Sequence, residues 1–267
     1  MNTEYPALTT TSGNPIPLRS IRINGFVDTI GTDIRMEQSY YNSEDKYIEA
    51  VYTFPLPVDA IFLGMNAKIG DRQLIGQAKE ALEASKNYED TIEKGNTAIL
   101  VEKTSEGLYT ANLGNIAPQE SVALELHFAL LHRFDGNQVR LHLPTVIGHR
   151  YGDPAASGIQ PTAQPVTDIS AAYPCTLELL ATGDFAEFPC TSPSHTVIQE
   201  TTPEGRIIRI QDAQADRDIV LIWQCSAEEL SVAAGKGPEG SVVCAAFTLK
   251  NAEDTHQEAH DIQILVD

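Results

Sequence analysis

Apolar and polar residues alternate along much of the first 150 residues, which is the period of a β-strand with one buried and one exposed face. The pattern is clear in KYIEAVYTF, residues 46–54, and in SVALELHFALLH, residues 121–132. In the second stretch, the positions predicted to be buried are Val122, Leu124, Leu126, Phe128 and Leu130. Pro55 and Pro57 predict the end of the earlier strand, because proline has no N–H group to donate to a sheet.

One stretch has a different period and predicts the helix of this half. In GQAKEALEASKNYEDTIEKG, residues 76–95, apolar or small residues recur every three or four positions. These are Ala78, Ala81, Leu82, Ser85, Tyr88 and Ile92. The opposite face carries Lys79, Glu80, Glu83, Lys86, Glu89, Glu93 and Lys94, which indicates a solvated surface; a partner-binding face is the alternative. Gly95 stands where a left-handed C-terminal cap is expected.

The chain is predicted to be mainly β and to contain two bodies. A β-sandwich with one docked helix is expected over residues 1–151, and the glycine- and proline-rich stretch 152–170 has the composition of a linker. Short strand-like runs without a helix then predict a second, smaller β-sandwich over residues 171–255. Residues 256–267 are interpreted as a connector followed by one further strand, DIQILVD.

Charge restricts the classes of partner. The chain has 37 acidic and 18 basic residues and a formal net charge of −19, so it repels nucleic acid and anionic lipid surfaces. Neither a signal peptide pattern nor an apolar run of membrane-spanning length is evident in the sequence. We therefore expect a cytoplasmic protein that binds neither nucleic acid nor membranes.

The cysteines all lie in the second half, as Cys175, Cys190, Cys225 and Cys244. An even number permits two disulfides in a secreted protein. Cys225 and Cys244 fall inside apolar strand-like runs, however, which favours buried thiols kept reduced in the cytosol. The spacing of these cysteines does not match a zinc knuckle or a dithiol redox motif.

Histidine provides the one motif that suggests a metal. HQEAH, residues 256–260, places two histidines four positions apart, but the glutamate does not directly follow the first histidine and no third ligand is indicated. A polar connector is the preferred interpretation. The remaining histidines considered are His127, His132, His142 and His149, which lie in or beside strands and are interpreted as surface or satisfied core residues.

The sequence therefore assigns no catalytic residue, no cofactor-binding residue and no metal ligand. It contains neither a nucleophile elbow, a phosphate-binding loop nor a dinucleotide-binding turn. Trp223 is interpreted as a core aromatic residue of the second sandwich. No cofactor is expected, and the chain is predicted not to be an enzyme.

Four short motifs occur in order along the first half of the chain: YTFPLP, Ile69-Gly70-Asp71, Gly114-Asn115-Ile116 and LPTVI. By these motifs, residues 7–150 resemble the vault protein inter-alpha-trypsin domain, or VIT domain. From the residues alone, Gly70-Asp71 predicts a tight turn, and Gly114-Asn115 predicts a loop that Pro118 helps to fix. These positions are expected to maintain the fold.

The resemblance also implies a neighbouring domain. VIT domains are commonly followed by a von Willebrand factor A domain, and DIQILVD resembles its first strand, with Asp267 in the place of the first aspartate of the metal motif. We therefore expect the chain to end at the start of such a domain, and Asp267 alone is assigned no metal. The second sandwich resembles the β-domain that flanks the A domain in the inter-alpha-trypsin inhibitor heavy chains.

Two functions follow from these observations. The first is a non-catalytic scaffold that binds unidentified protein partners and is coupled in cis to a von Willebrand factor A domain. The alternative is an enzyme or small-ligand carrier with a site formed between the two sandwiches. An exposed apolar patch would favour the scaffold, and a deep pocket with titratable groups would favour the alternative.

Overall fold

The computed structural model confirms a mainly β fold, with one α-helix among the residues that it describes. It describes residues 8–10, 15–16, 18–76, 81–95, 98–145, 173–225, 231–237 and 240–246. The helix, α1, spans Ala81–Glu93, and a short 3-10 helix spans Gly183–Ala186. Among the described residues, the strands form four sheets.

The largest sheet has eight strands in the order β15-β16-β13-β3-β4-β10-β6-β7. Their ranges are β3 Leu18–Val27, β4 Gly31–Tyr41, β6 Ile61–Ile69, β7 Arg72–Ile75, β10 Ser121–Leu131, β13 Pro174–Ala181, β15 Ile198–Thr202 and β16 Gly205–Gln214. On β10, the predicted alternation is confirmed: the five apolar positions from Val122 to Leu130 are buried, and the residues between them are half-buried. One face of this sheet therefore covers the core.

Two smaller sheets and a hairpin accompany it. The five-stranded sheet has the order β2-β1-β5-β9-β8, the four-stranded sheet β11-β12-β17-β14, and the hairpin consists of β18 and β19. Their ranges are β1 Leu8–Thr10, β2 Pro15–Ile16, β5 Ile48–Pro55, β8 Ile99–Ser105, β9 Leu108–Ile116, β11 Phe134–Asp135, β12 Gln138–Leu143, β14 Cys190–Thr191, β17 Ile219–Gln224, β18 Ser231–Gly237 and β19 Gly240–Ala246. Strand β5 ends at Pro55, as predicted.

Aromatic side chains join the five-stranded sheet to the eight-stranded one. Phe62 of β6 lies 6.4 Å from Phe54 of β5 and 5.2 Å from Tyr109 of β9, measured between ring centroids. Phe54 is fully buried and stacks on Tyr109 at 5.6 Å. Burial of this size stabilises a fold by about 2 kcal/mol for each large side chain, so these rings fix the layers together.

The two halves of the chain share sheets, a feature that differs from the expected separate second sandwich. Strand β13 pairs in parallel with β3, and β12 pairs antiparallel with β17. The predicted linker, residues 152–170, and the segment 256–267 lie outside the described residues, so the domain boundaries stay a prediction. Linker-like composition indicates exposed chain, but it carries no information about which strand edges pair across it.

The helix agrees with the prediction where the structure describes it. Tyr88 and Ile92 are half-buried on one face, and Glu83, Lys86, Glu89, Glu93 and Lys94 are exposed. Gly95 has φ +74°, and its N–H donates to the carbonyl of Ile92, which gives the expected C-terminal cap. The other positions named for the two faces, Ala78, Lys79, Glu80, Ala81, Leu82 and Ser85, lie outside the residues whose side chains are described.

The predicted tight turn at Gly70-Asp71 is confirmed. It joins β6 to β7, with Ile69 opposite Arg72, and Gly70 has φ +56°. The carboxylate of Glu120 packs against this turn and accepts hydrogen bonds from Arg72 at 2.7 Å and from the Ala117 amide at 2.8 Å. One acidic side chain thus ties the β6–β7 turn to the turn before β10.

Gly114-Asn115 does not form the expected loop. Both residues lie within β9. Ile48 of β5 pairs with Ile116, whereas Ala50, two residues further along β5, pairs with Leu113, three residues back along β9. This shift is a β-bulge, in which one extra residue is accommodated in a strand and glycine is favoured. The loop follows instead at Pro118–Glu120, where Gln119 has φ +57°.

We predict that Gly70→Ala lowers the free energy of unfolding by about 2 kcal/mol, because positive φ disfavours a side chain and the new methyl group displaces Glu120. A Cβ atom at this position would lie 2.5 Å from Glu120 Oε1. Gly136→Ala is the matched control, since Gly136 has φ +59° but open space around the added Cβ. Urea denaturation should show a smaller loss for the control. Equal losses would contradict a role for the Glu120 contact.

We also predict that the two halves unfold in one transition, because they share two sheets. Trp223, the only tryptophan, is fully buried in the second half, whereas strands throughout the chain contribute to the far-UV circular dichroism. Urea curves measured by tryptophan fluorescence and by circular dichroism should therefore coincide. Two separated midpoints would show that the halves are independent.

A candidate binding cleft between two sheet edges

A cleft of about 490 Å³ opens where helix α1 lies beside the edges of two sheets. Strand β7 is the edge of the eight-stranded sheet and β8 is the edge of the five-stranded sheet, and residues of both line the cleft. The helix contributes Ala84, Asn87, Tyr88 and Thr91, which recur at helical spacing on one face. The cleft thus lies between the short helix and the edges of two neighbouring sheets.

Most of the side chains that line the cleft are apolar, and polar groups contribute a substantial part of its surface. The strands contribute Phe62, Leu63, Met65, Leu74, Ile75, Ile99, Leu100, Val101 and Tyr109. Two of these side chains stay exposed at the mouth: Leu63 has 51% of its surface exposed and Ile75 has 73%. Large apolar side chains that remain exposed next to a concave apolar surface are typical of an interaction site.

The titratable residues among the lining groups are Tyr88, Lys103 and Tyr109. Burial, together with the negative charge of Glu49, raises the pKa of Tyr88 to about 12. Tyr88 therefore keeps its proton at neutral pH and acts as a neutral hydrogen-bonding group at the cleft wall. Such a lining suits binding of an apolar segment rather than proton transfer.

The junction of the two halves is filled with aromatic rings. Phe185 of the 3-10 helix lies 4.4 Å from His132, 5.4 Å from Phe188 and 5.8 Å from Trp223, measured between ring centroids. Phe185 has 1% of its surface exposed and Trp223 none. Trp223 is therefore a core residue, as predicted.

The strand histidines hold structural positions. His127 Nε2 lies 2.8 Å from Asp33 Oδ2, and His142 Nε2 lies 2.8 Å from Asp218 Oδ2. His132 Nε2 contacts Thr32 Oγ1 at 2.8 Å, while its buried Nδ1 has no hydrogen-bond partner within the described part of the chain. His149, Asp267 and the HQEAH motif lie outside the described residues. Within those residues, no group of three or more His, Cys, Asp or Glu side chains is arranged to hold a metal ion.

The cysteines are free thiols, as the preferred interpretation stated. Cys175, Cys190 and Cys225 are buried, and Cys244 is half-buried on the β19 strand. Burial raises the pKa of Cys175 to about 12. Burial also raises the pKa of Cys190 to about 12, although the positive charge of Arg206 lowers it in part. Buried thiols with raised pKa are inert packing groups.

Sequence reasoning did not identify the cleft. Its lining comes from α1 and four strands that are distant in sequence, and only the helical period of Tyr88 gave a local sign of it. The exposure of Ile75 and Leu63 depends on where their strands stand in the sheet, which no local pattern records.

The fold and the cleft define a class: a layered β protein in which a helix covers the edges of two sheets beside an apolar cleft. Residues 18–128 match the family model of the vault protein inter-alpha-trypsin domain. The chain therefore contains a VIT domain, and the cleft lies within it. The residues 69–71 and 114–116 that carry the resemblance form its β6–β7 turn and its β9 bulge.

Relatives with this domain carry other domains as well. The chain is 27% identical to human von Willebrand factor A domain-containing protein 5A over 82% of this chain and 29% of that protein. It is 32% identical to the mouse protein mono-ADP-ribosyltransferase PARP4 over 44% of this chain and 6% of that protein. The chain thus spans less than a third of either relative. A von Willebrand factor A domain accompanies the matched region in the first of them.

Solved structures resemble the chain only distantly. The structure of a putative nutrient binding protein from Legionella pneumophila has a TM-score of 0.44 and 11% identity, over 85% of this chain and 73% of that one. Separately, among the described residues no helix is long and apolar enough to cross a membrane.

We predict that His132 makes stability depend on pH. Burial lowers the pKa of His132 to about 4, so the unfolded chain takes up the proton first, near the ordinary value of 6.5. The stability due to neutral His132 is present above pH 6.5 and declines as the pH falls towards 4. As the pH falls from 6.5 to 4, the His132→Gln variant should lose about 3 kcal/mol less unfolding free energy than the unaltered protein. Urea denaturation at each pH measures this difference. The same slope in both proteins would contradict the prediction.

Proposed function

We propose that the chain is a non-catalytic protein-interaction scaffold and that its cleft beside α1 binds an apolar segment of a protein partner. The observation that carries the proposal is the pair of exposed side chains, Leu63 and Ile75, in a cleft of about 490 Å³ that is lined mostly by apolar side chains. An amphipathic or extended segment could bury these side chains by the hydrophobic effect. In the full-length protein, the scaffold would hold a von Willebrand factor A domain in cis.

The relatives support this proposal at the level of the family. Von Willebrand factor A domain-containing proteins form one group of relatives, and the transferase activity named for PARP4 belongs to a protein of which this chain matches 6%. The sequence and the cleft lining both favour recognition over chemistry. A cytoplasmic location is part of the same proposal, and it is consistent with the free thiols of Cys175 and Cys190.

The test uses the full-length protein with Leu63→Glu and Ile75→Glu combined. Both side chains are exposed, so the change should leave the fold intact while placing two charges at the cleft mouth. We expect at least one partner to be lost, with binding weakened by about tenfold or more, in quantitative co-purification followed by affinity measurement.

Ile198→Glu provides the matched control, because Ile198 is 48% exposed on β15 at the opposite edge of the eight-stranded sheet. Thermal unfolding should be similar in all variants. If the cleft variant and the control retain the same partners with the same affinities, the cleft is not the binding surface and the proposal is wrong.

A further inference from the structure

A second concave surface differs from the rest of this acidic protein in its charge. It encloses about 460 Å³ above the end of β4, β6 and β10 that lies away from the aromatic junction. Its lining residues are Arg19, Ser39, Tyr40, Tyr41, Lys68, Gly70, Ser121, Val122 and Ala123. Two are basic and none is acidic, in a chain with 37 acidic and 18 basic residues.

The register of the sheet explains the shape of this surface. Ser39 of β4, Ala123 of β10 and Lys68 of β6 are cross-strand neighbours in one row. Neighbouring strands lie about 4.8 Å apart, so Lys68 begins about 10 Å from Ser39, and the small Ala123 side chain leaves the space between them open. Ser121 lies two residues before Ala123 and projects from the same face of β10.

The two cations approach this space from opposite sides. The Arg19 guanidinium carbon lies 5.4 Å from the centre of the Tyr41 ring, so a cation–π contact holds the charge over β4. Lys68 is exposed on β6. Neither side chain forms an ion pair with a carboxylate within the described part of the chain.

The polar groups between the cations are also available. Within the described residues, the hydroxyl groups of Ser39 and Ser121 have no hydrogen-bond partner, whereas the Tyr41 hydroxyl donates to Gln119. Glu120 lies next to Ser121 in the sequence, but its carboxylate is bonded to Arg72 and to the Ala117 amide. Two charges and two hydroxyl donors therefore face one open space.

The neighbouring row of the same face shows the usual arrangement for this protein. There, Arg22 pairs with Glu37 at 2.8 Å, and Arg35, one row further along the sheet, approaches Glu125 of this row at 3.7 Å. Arg22 and Arg35, two exposed cations on this sheet face, thus each have an acidic partner in the row next to the pocket. Arg19 and Lys68 differ from them because neither has an acidic partner among the described residues.

From this arrangement we infer that the Arg19–Lys68 pocket is a binding site for a phosphoryl group carried on a protein partner. Two uncompensated positive charges match the charge of about −1.5 to −2 on a phosphorylated side chain at neutral pH. Three phosphoryl oxygens can accept from both cations and both serine hydroxyls, whereas a carboxylate has two oxygens. The choice of a protein as carrier rests on the proposed function, but the anion site does not.

The experiment measures binding of a fluorescein-labelled glycine-flanked phosphoserine peptide to the whole chain by fluorescence anisotropy at low salt. We expect the phosphoserine peptide to bind at least about tenfold more tightly than peptides with serine or glutamate at the same position, and inorganic phosphate to compete. Arg19→Gln combined with Lys68→Gln should weaken binding by about tenfold or more.

Arg22→Gln combined with Arg35→Gln is the matched control, because it removes the same charge from the same sheet face and should change affinity by less than about twofold. Equal weakening by both pairs would show a general charge effect and overturn the inference. Equal binding of the glutamate peptide and the phosphoserine peptide would also overturn the inference. Binding of the chain to vesicles that contain phosphatidic acid, without binding of the phosphopeptide, would overturn it as well.

Failure of this inference can be separated from failure of the proposed function. The peptide and phosphate titrations need no partner and leave the cleft residues Leu63 and Ile75 unchanged. Loss of partners in the cleft variant together with no response to the phosphopeptide would sustain the cleft and reject the pocket. The opposite result would sustain the pocket and reject the cleft.

Discussion

Parallel pairing of β13 with β3 is the interaction on which the rest of the structure depends. It joins Cys175–Ala181 to Ile21–Val27 over seven partner positions and makes one eight-stranded sheet from both halves of the chain. Because β3 also pairs with β4, each of its edges is used, and its buried side chains face one continuous core. The 3-10 helix that follows β13 then brings Phe185 against His132 and Trp223. Apolar burial across this shared sheet gives the VIT domain a rigid frame.

The proposed cleft lies where the sheets are incomplete. Strands β7 and β8 are edges, and an exposed edge is a liability that proteins cover with a helix or a loop. Helix α1 packs beside the β8 edge, and the space between the helix and the two edges is the cleft. On the outer face of the same sheet, paired charges keep the surface soluble except at the Arg19–Lys68 pocket. The two proposed sites therefore lie on a common scaffold but use different physical principles, one apolar and one electrostatic.

Sequence patterns predicted the local structure well because each rule concerns neighbours in the chain. The alternation on β10, the end of β5 at Pro55, the cap at Gly95 and the turn at Gly70 all follow from local periodicity or from the conformations of proline and glycine. Pairing between distant strands has no such signature. That is why β13 was assigned to a separate body and Gly114 to a loop, and why sites assembled from several strands were not foreseen.

The parallel pairing also has a consequence for how the chain reaches its native state. Partner residues of β3 and β13, such as Ile23 and Leu177, are about 150 residues apart in sequence. During synthesis, β3 is made long before its partner β13. Until β13 leaves the ribosome, β3 exposes unpaired backbone groups and the apolar side chains of Ile21 and Ile23. An incomplete chain that ends before β13 therefore presents an open strand edge that favours non-native pairing.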